Sequence, residues 1–134
     1  ALKMAVLRGV DVKIMVPKNN DSRIAKYSMF SNFQDLLKTG AKIYILKNTF
    51  SHSKLIIIDD EIASVGSGNF DYRSFEHNYE VNTIIYDNNI ANTLSEKFIT
   101  NTQKCLVLDY DSFRNRPFKT KFLEGLAKIV SPLL

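Results

Sequence analysis

Residues 52–69 of the chain read HSKLIIIDDEIASVGSGN, and this stretch decides the fold that we predict. The apolar runs 54–58 and 62–65 have the length and composition of buried strands. Three acidic residues, 59–61, separate the two runs by the length of a tight turn. The stretch therefore predicts a β-hairpin with polar residues at both of its ends.

Helical and strand patterns alternate on both sides of this hairpin. Helices are predicted over 1–8, 22–38, about 89–104 and about 111–130, and further strands over 10–16, 41–46 and 80–86. The polar run from Asn19 to Ser22 predicts a turn followed by a helix cap. This order predicts the α/β class, with one mixed β-sheet flanked by helices on both faces. Because no repeat, linker or low-complexity stretch interrupts the chain, we expect residues 1–134 to form a single domain.

The composition permits a soluble globular domain with an anionic partner. The hydrophobic fraction of 45% and the charged fraction of 24% are ordinary for soluble proteins. The net charge of +4 suits phosphate, nucleic acid or an acidic membrane surface without choosing among them. A single cysteine, Cys105, excludes an internal disulfide and a cysteine-based metal cluster.

His52 and Lys54 are two residues apart at the start of a predicted strand, so their side chains leave the same face. A phosphodiester is the ligand that would use both side chains. The imidazole can attack phosphorus, and the ammonium can hold a non-bridging oxygen as its negative charge grows.

Further polar residues are expected beside this pair, across the hairpin. Ser67 and Asn69 follow the second strand and offer neutral donors to phosphate oxygens, while the glycines of 66–69 would let the backbone approach a bound anion. Glu80 begins the next strand and would accept a hydrogen bond from the second ring nitrogen of His52. Together these residues predict a phosphodiester site.

The spacing of these residues resembles the HKD motif of the phospholipase D superfamily. His52-x-Lys54 is followed after four residues by Asp59, after six more by Gly66-Ser67, and then by Asn69. The run 52–86 is similar to the second half of bacterial cardiolipin synthases, and 9–15 and 131–134 resemble the same subfamily. His77 departs from the pattern, since an apolar residue is expected there, and Gly68 stands where alanine is frequent.

The resemblance implies a phospholipase D-like half-domain with one HKD motif at about 46–74, and it implies a role for each motif residue. His52 would be the nucleophile that forms a phosphohistidine, or the general acid that protonates the leaving alkoxide. Lys54 and Asn69 would hold the phosphate with help from Ser67. Asp59 would complete the catalytic motif in a mainly structural role, and Glu80 would orient His52. No metal and no cofactor are implied.

The implied activity is phosphatidyl transfer between two phosphatidylglycerol molecules, which yields cardiolipin and glycerol. Enzymes of this family need two motifs, so the partner is expected to be the N-terminal HKD half of the same enzyme or a homodimer mate. We expect the chain to be the C-terminal half of a longer enzyme, anchored in the bacterial cell membrane by segments outside this soluble piece. Two alternatives stay open: a metal-independent endonuclease or phosphodiesterase active as a homodimer, for which nucleic acid is the less favoured partner, and an inactive half-domain that binds anionic lipid or phosphate.

Apolar residues recur along one side of the last predicted helix. They are Phe118, Phe122, Leu126, Ile129 or Val130, and Leu133. We expect this stripe to pack in the core or against the other half of the enzyme. The alternative is a basic amphipathic helix that lies on an anionic bilayer.

Overall fold

The computed structural model describes residues 1–18, 22–47 and 51–130, which hold six helices and six strands. The helices are α1 (Leu2–Leu7), α2 (Arg23–Thr39), α3 (Tyr72–Glu76), α4 (Asn88–Thr102), α5 (Tyr110–Arg114) and α6 (Phe118–Val130). The strands are β1 (Lys13–Pro17), β2 (Lys42–Leu46), β3 (Lys54–Ile58), β4 (Ile62–Gly66), β5 (Asn82–Tyr86) and β6 (Cys105–Val107). None of the helices in these ranges is long and apolar enough to cross a membrane. The turn predicted over 19–21 and the closing segment 131–134 lie outside the described residues.

The chain divides into two compact units, and the first consists of Ala1–Phe50 together with Cys105–Leu134. Its sheet has the order β1-β2-β6, in which β1 runs parallel and β6 antiparallel to β2. Helix α2 begins where the Ser22 hydroxyl accepts a hydrogen bond from the amide of Ala25, as the sequence predicts. It ends at Gly40, whose φ of 105° is readily adopted only by glycine.

The core of the first unit lies between α2, β2 and α5. Its buried members are Phe33, Leu37, Ile43, Ile45 and Phe113. Ile43 is completely buried in the middle of β2, and the Phe33 and Phe113 rings pack 6.2 Å apart between centroids. Aromatic contact and aliphatic burial therefore hold this unit together.

Helix α6 turns its apolar stripe away from the core of the first unit. Its buried residues are Glu124 and Ala127, whereas Phe118, Phe122, Leu126 and Ile129 are exposed. Glu124 can be buried because the guanidinium of Arg116 donates to its carboxylate at 2.5 Å. Of the two expected arrangements, packing in the core is therefore wrong for these four residues, whereas packing against the other half of the enzyme stays a prediction. Leu133 lies outside the described part of the chain.

The second unit, Ser51–Lys104, is built on an antiparallel sheet of order β3-β4-β5. Lys54 pairs with Gly66, and Gly66 pairs with Asn82 on its other side. Helix α4 contacts all three strands, and Ala63 and Ala91 are completely buried. The small side chains allow the helix and the sheet to approach closely.

The α/β class is confirmed, and three details differ from prediction. The strands form two three-stranded sheets and not one mixed sheet, because the short strand β6, which the sequence pattern did not indicate, pairs with β2. The helix predicted over 111–130 is divided into α5 and α6, since Pro117 disfavours helical geometry at the residue before it. Helix α3 was also missed because five residues are too few to show a helical period.

Candidate active site

The predicted site residues, apart from Asp59, gather at one end of the β3-β4-β5 sheet. Because the strands are antiparallel, this end holds the start of β3, the end of β4 and the start of β5. His52 precedes β3, Ser67 follows β4, and Glu80 lies two residues before β5. The antiparallel register therefore assembles residues that are up to 28 positions apart in the sequence.

The side chains of His52 and Lys54 are in direct contact, as predicted from their spacing. The Lys54 Nζ lies 2.7 Å from Nδ1 and 2.9 Å from Nε2 of the imidazole, and it also donates to the His52 carbonyl oxygen at 2.9 Å. An ammonium group has only donors, so a hydrogen bond between these two side chains runs from Lys54 to the imidazole. His52 is exposed and Lys54 is half-buried. The pair thus places an ammonium group and an imidazole in contact at the surface.

Glu80 is the centre of the hydrogen-bond network behind this pair. Its carboxylate accepts from the hydroxyl of Ser67 at 2.5 Å, the hydroxyl of Ser74 at 3.1 Å and the amide nitrogen of Asn78 at 3.2 Å. The hydrogen bonds from Ser67 and Asn78, then Ser74 and the charge of Lys54, hold the pKa of Glu80 below its ordinary value. The carboxylate is therefore ionised at neutral pH, and its predicted hydrogen bond with His52 stays a prediction.

The hydrogen-bonding groups of Ser67 are occupied by Val81, the residue before β5, and by Glu80. Its amide donates to the Val81 carbonyl at 2.9 Å, and its hydroxyl oxygen accepts from the Val81 amide at 3.0 Å. The single hydroxyl proton goes to Glu80. In this conformation Ser67 cannot also donate to a phosphate oxygen. The predicted phosphate contact therefore requires the hydroxyl to leave Glu80 and donate to the phosphate instead.

Gly66 is required by the close approach of β5. A Cβ at this position would lie 2.2 Å from the Val81 carbonyl oxygen, 2.2 Å from Asn82 Oδ1 and 2.6 Å from Asn82 Cα. Gly68 is less confined, because the nearest atom to its Cβ would be the side-chain nitrogen of Asn82 at 3.0 Å. The structure thus gives Gly66 a packing role that the sequence prediction, based on a bound anion, did not include.

Ser74 links the segment after β4 to Glu80, and the sequence analysis missed it. Its hydroxyl accepts from the Asn69 amide at 3.1 Å, and its own amide donates to the Asp71 carboxylate at 2.8 Å. Asp71 is the N-cap of α3, so the Asp-x-x-Ser spacing was the signal that could have revealed this link. The Asn69 side chain itself is exposed beside the network.

Asn78 connects Arg73 to the Glu80 network. Its side-chain oxygen accepts from Arg73 Nε at 3.2 Å, and its side-chain nitrogen donates to Glu80. His77, which departs from the family pattern, lies with its ring 5.5 Å from that of Tyr72.

Asp59 lies at the opposite end of the hairpin, although the HKD pattern includes it. It follows the last residue of β3, roughly 17 Å along the strand from its start. Asp59 and its neighbour Asp60 have φ values of 52° and 57°, the geometry of a type I′ hairpin turn. The structure therefore places Asp59 in the turn and does not bring it to His52.

Two groups at this end of the sheet suit a tetrahedral anion: the ammonium of Lys54 and the exposed carboxamide of Asn69. The Glu80 carboxylate is itself negative, and its oxygens accept from Ser67, Ser74 and Asn78. Within the ranges that the structure describes, no group of three or more His, Cys, Asp or Glu side chains is placed to hold a metal ion.

Comparisons with known proteins find clear relatives. Residues 1–101 match the family described as cardiolipin synthase, phospholipase D-like domain. All 134 residues align with cardiolipin synthase 1 of Staphylococcus aureus (strain COL) at 48% identity and with the cardiolipin synthase of Geobacillus thermodenitrificans at 41% identity. In both cases the chain spans 27% of the relative's length. The crystal structure of a phospholipase D family member, Nuc from Salmonella typhimurium, is similar with a TM-score of 0.66 and 25% identity, over 80% of this chain and 70% of that one.

Proposed function

Because the chain belongs to the family of cardiolipin synthase phospholipase D-like domains, we propose that it supplies one of two half-sites for phosphatidyl transfer between phosphatidylglycerol molecules. One observation carries this proposal. The Lys54 ammonium lies 2.7 Å from Nδ1 and 2.9 Å from Nε2 of His52, and its charge helps to lower the pKa of Glu80. A nucleophile and a phosphate-binding cation are therefore already adjacent at an open surface.

His52 acts as the nucleophile in the proposed reaction. Its ring nitrogen attacks phosphorus, a P–N bond forms, and the bond to the glycerol oxygen breaks as the leaving alkoxide takes a proton from the histidine of the second motif. The hydroxyl of a second phosphatidylglycerol then attacks the phosphohistidine, returns its proton to that histidine and releases cardiolipin. In the reverse assignment, His52 is the acid and its counterpart is the nucleophile.

Lys54 and Asn69 hold the non-bridging oxygens in this proposal. When phosphate binds, the ammonium moves from the imidazole to an oxygen on which charge grows in the transition state. The exposed Asn69 amide is a second, neutral donor. Glu80 is a positioning residue: it fixes Ser67 and the segment around Ser74, and it would orient His52.

The other half-site must come from outside this one motif. The chain spans 27% of the length of cardiolipin synthase 1 of S. aureus, which leaves room in such a protein for a second motif. We therefore propose the N-terminal half of a longer enzyme as the partner, with a second copy of the chain as the alternative. The lipid substrate places the reaction at the bacterial cell membrane.

Trapping the covalent intermediate tests this function. The chain is mixed with vesicles that contain phosphatidylglycerol labelled with radioactive phosphorus, alone and with the N-terminal half of a longer relative, and is then quenched in alkali, where phosphohistidine survives. We expect label on the wild-type chain and on His77→Asn, the matched control that changes the only other histidine. His52→Ala should carry none. Equal labelling of His52→Ala, or no label on the wild type with the other half present, would refute the covalent role of His52.

The same proteins separate the lipid reaction from nuclease activity. Supercoiled plasmid is incubated with the wild-type chain and His52→Ala in the presence of a chelator. If the wild-type chain cleaves the plasmid and His52→Ala does not, and no transfer to lipid is seen, the site is reassigned to a metal-independent endonuclease.

A further inference from the structure

Helix α6 exposes its apolar side and buries its polar one. Phe118 is 80% exposed, Phe122 56%, Leu126 48% and Ile129 76%. The side that faces α2 carries the buried Glu124 and Ala127. An amphipathic helix normally turns its apolar stripe to the core, so this orientation calls for an apolar partner outside the unit.

The exposed residues form a shallow, open groove along α6. The groove is lined by Phe118, Lys121, Phe122, Gly125, Leu126 and Ile129. The two phenylalanine rings stack with centroids 6.5 Å apart, and Gly125 leaves open space beside them. Thirteen residues give α6 a length of roughly 20 Å, so the face is long and narrow.

The exposed charges of α6 itself have a single sign. At about 100° per residue, Lys121 and Lys128 border the apolar stripe on one side and Lys119 borders it on the other. The one acidic residue of α6, Glu124, is buried and forms an ion pair with Arg116 at 2.5 Å. Every charged side chain on the exposed surface of the helix is therefore a lysine, whose long stem can lie along an apolar surface while the ammonium stays in water.

We propose that α6 is a membrane-docking helix: its apolar groove inserts into the surface of an anionic bilayer, and its three lysines contact the lipid phosphates. The proposal rests on the proposed function for the identity of the lipid, phosphatidylglycerol, which is anionic. A second copy of the chain fits less well, since two α6 faces packed on each other would crowd six lysines around a narrow apolar strip. An anionic bilayer complements both the apolar stripe and its positive borders.

Vesicle binding by charge-matched and exposure-matched variants tests the proposal. The vesicles are equimolar phosphatidylglycerol and phosphatidylcholine, with pure phosphatidylcholine for comparison. Two variants alter the groove. The phenylalanine variant combines Phe118→Ser and Phe122→Ser, and the lysine variant combines Lys119→Gln, Lys121→Gln and Lys128→Gln. Their controls alter equally exposed residues elsewhere: Met4→Ser with Leu7→Ser, and Lys18→Gln with Lys38→Gln and Lys104→Gln.

We expect the phenylalanine variant to bind mixed vesicles at least tenfold more weakly than its control. The lysine variant should bind on the order of a hundredfold more weakly, from about fivefold per lysine. Binding by the wild type should be much weaker to pure phosphatidylcholine. If either groove variant binds as its control does, or if the two kinds of vesicle bind alike, the proposal is overturned.

A fluorescent reporter gives a second measurement that does not depend on weakened binding. The chain has no tryptophan, so Phe122→Trp introduces a single one in the groove and Leu7→Trp a single one on α1. Mixed vesicles should shift the emission of the first to the blue and leave the second unchanged. An unshifted Phe122→Trp that binds vesicles would place the contact elsewhere on the chain and overturn the proposal.

Two further results separate docking from catalysis and from self-association. His52→Ala should bind vesicles as the wild type does. A wild-type chain that binds vesicles but forms no phosphohistidine with the other half present contradicts the function and not the docking. Sedimentation of the wild type and of the phenylalanine variant tests whether a second copy is the occupant: a wild type that self-associates and a variant that does not would identify it. Self-association through α6 without vesicle binding would overturn the proposal.

Discussion

Replacing Gly66 with alanine puts a methyl group into space that β5 already occupies. The new Cβ would lie 2.2 Å from both the Val81 carbonyl oxygen and Asn82 Oδ1, so the start of β5 must retreat by about 1 Å to restore ordinary contact. That retreat breaks the two hydrogen bonds between Ser67 and Val81, which are 2.9 and 3.0 Å long. Overpacking of about 1–3 kcal/mol and about 0.5–1.5 kcal/mol for each bond add up to roughly 4 kcal/mol of lost stability.

Gly68→Ala is the matched control for this prediction. Its Cβ would meet only the movable Asn82 Nδ2 at 3.0 Å and two further atoms at 3.5 Å, and its φ is not positive. We expect a change in the free energy of unfolding within about 1 kcal/mol, because the lower entropy of the unfolded chain offsets the contact. Urea unfolding measures both variants, and hydrogen exchange of the Val81 amide, faster in Gly66→Ala only, reports the local break. Equal stability of the two variants would refute the packing role of Gly66.

Three other features give predictions of their own. Glu124→Ala should lower the free energy of unfolding, measured in urea, by about 3–5 kcal/mol, because Arg116 is left as a buried unpaired charge. Adding Arg116→Met to the same chain should recover much of this loss, and no recovery would contradict the explanation. Gly125→Ala should raise the free energy of unfolding by about 0.5–1 kcal/mol, since its Cβ meets nothing within 4 Å, whereas a loss would show that the groove is tighter than described. The lowered pKa of Glu80 means that its hydrogen bonds stabilise the fold above the ordinary value of 4.5 and are lost as pH falls through the lowered value. Glu80→Gln should therefore reduce the fall in stability between neutral and acid pH, and an unchanged pH profile would exclude this role.

Local patterns predicted most of the elements and the position of the candidate site. The hairpin predicted over 54–58 and 62–65 is present as β3 and β4, because two short apolar runs around a turn have few alternative arrangements. Antiparallel pairing then places His52, Ser67 and Glu80 at one end of the sheet whatever the rest of the chain does. The roles of these residues stay predictions, since chemistry does not follow from position alone.

Specific side-chain contacts and one distant strand pairing decided the features that the sequence did not predict. Glu124 is buried on α6 beside Arg116, eight residues away, whereas the apolar stripe of the helix faces outward. Strand β6 exists through its pairing with β2, which is distant in sequence. Ser74 became part of the site through its hydrogen bonds to Asn69 and Glu80, and no periodic pattern indicates such bonds.

The first unit is interrupted by the whole of the second, and this sets the order in which the chain can fold. β2 ends at Leu46 and its partner β6 begins only at Cys105, so closing that loop costs roughly 3–4 kcal/mol of chain entropy before any contact forms. Within Ser51–Lys104 the longest connection is the 15 residues between β4 and β5, so its closure costs roughly 1 kcal/mol less. We expect the second unit to form first and to shorten the loop, so that in pulsed hydrogen exchange the amides of β4 gain protection before those of β6. During synthesis on the ribosome, the first unit therefore has to wait, with part of its apolar core open, until the second unit and β6 have emerged.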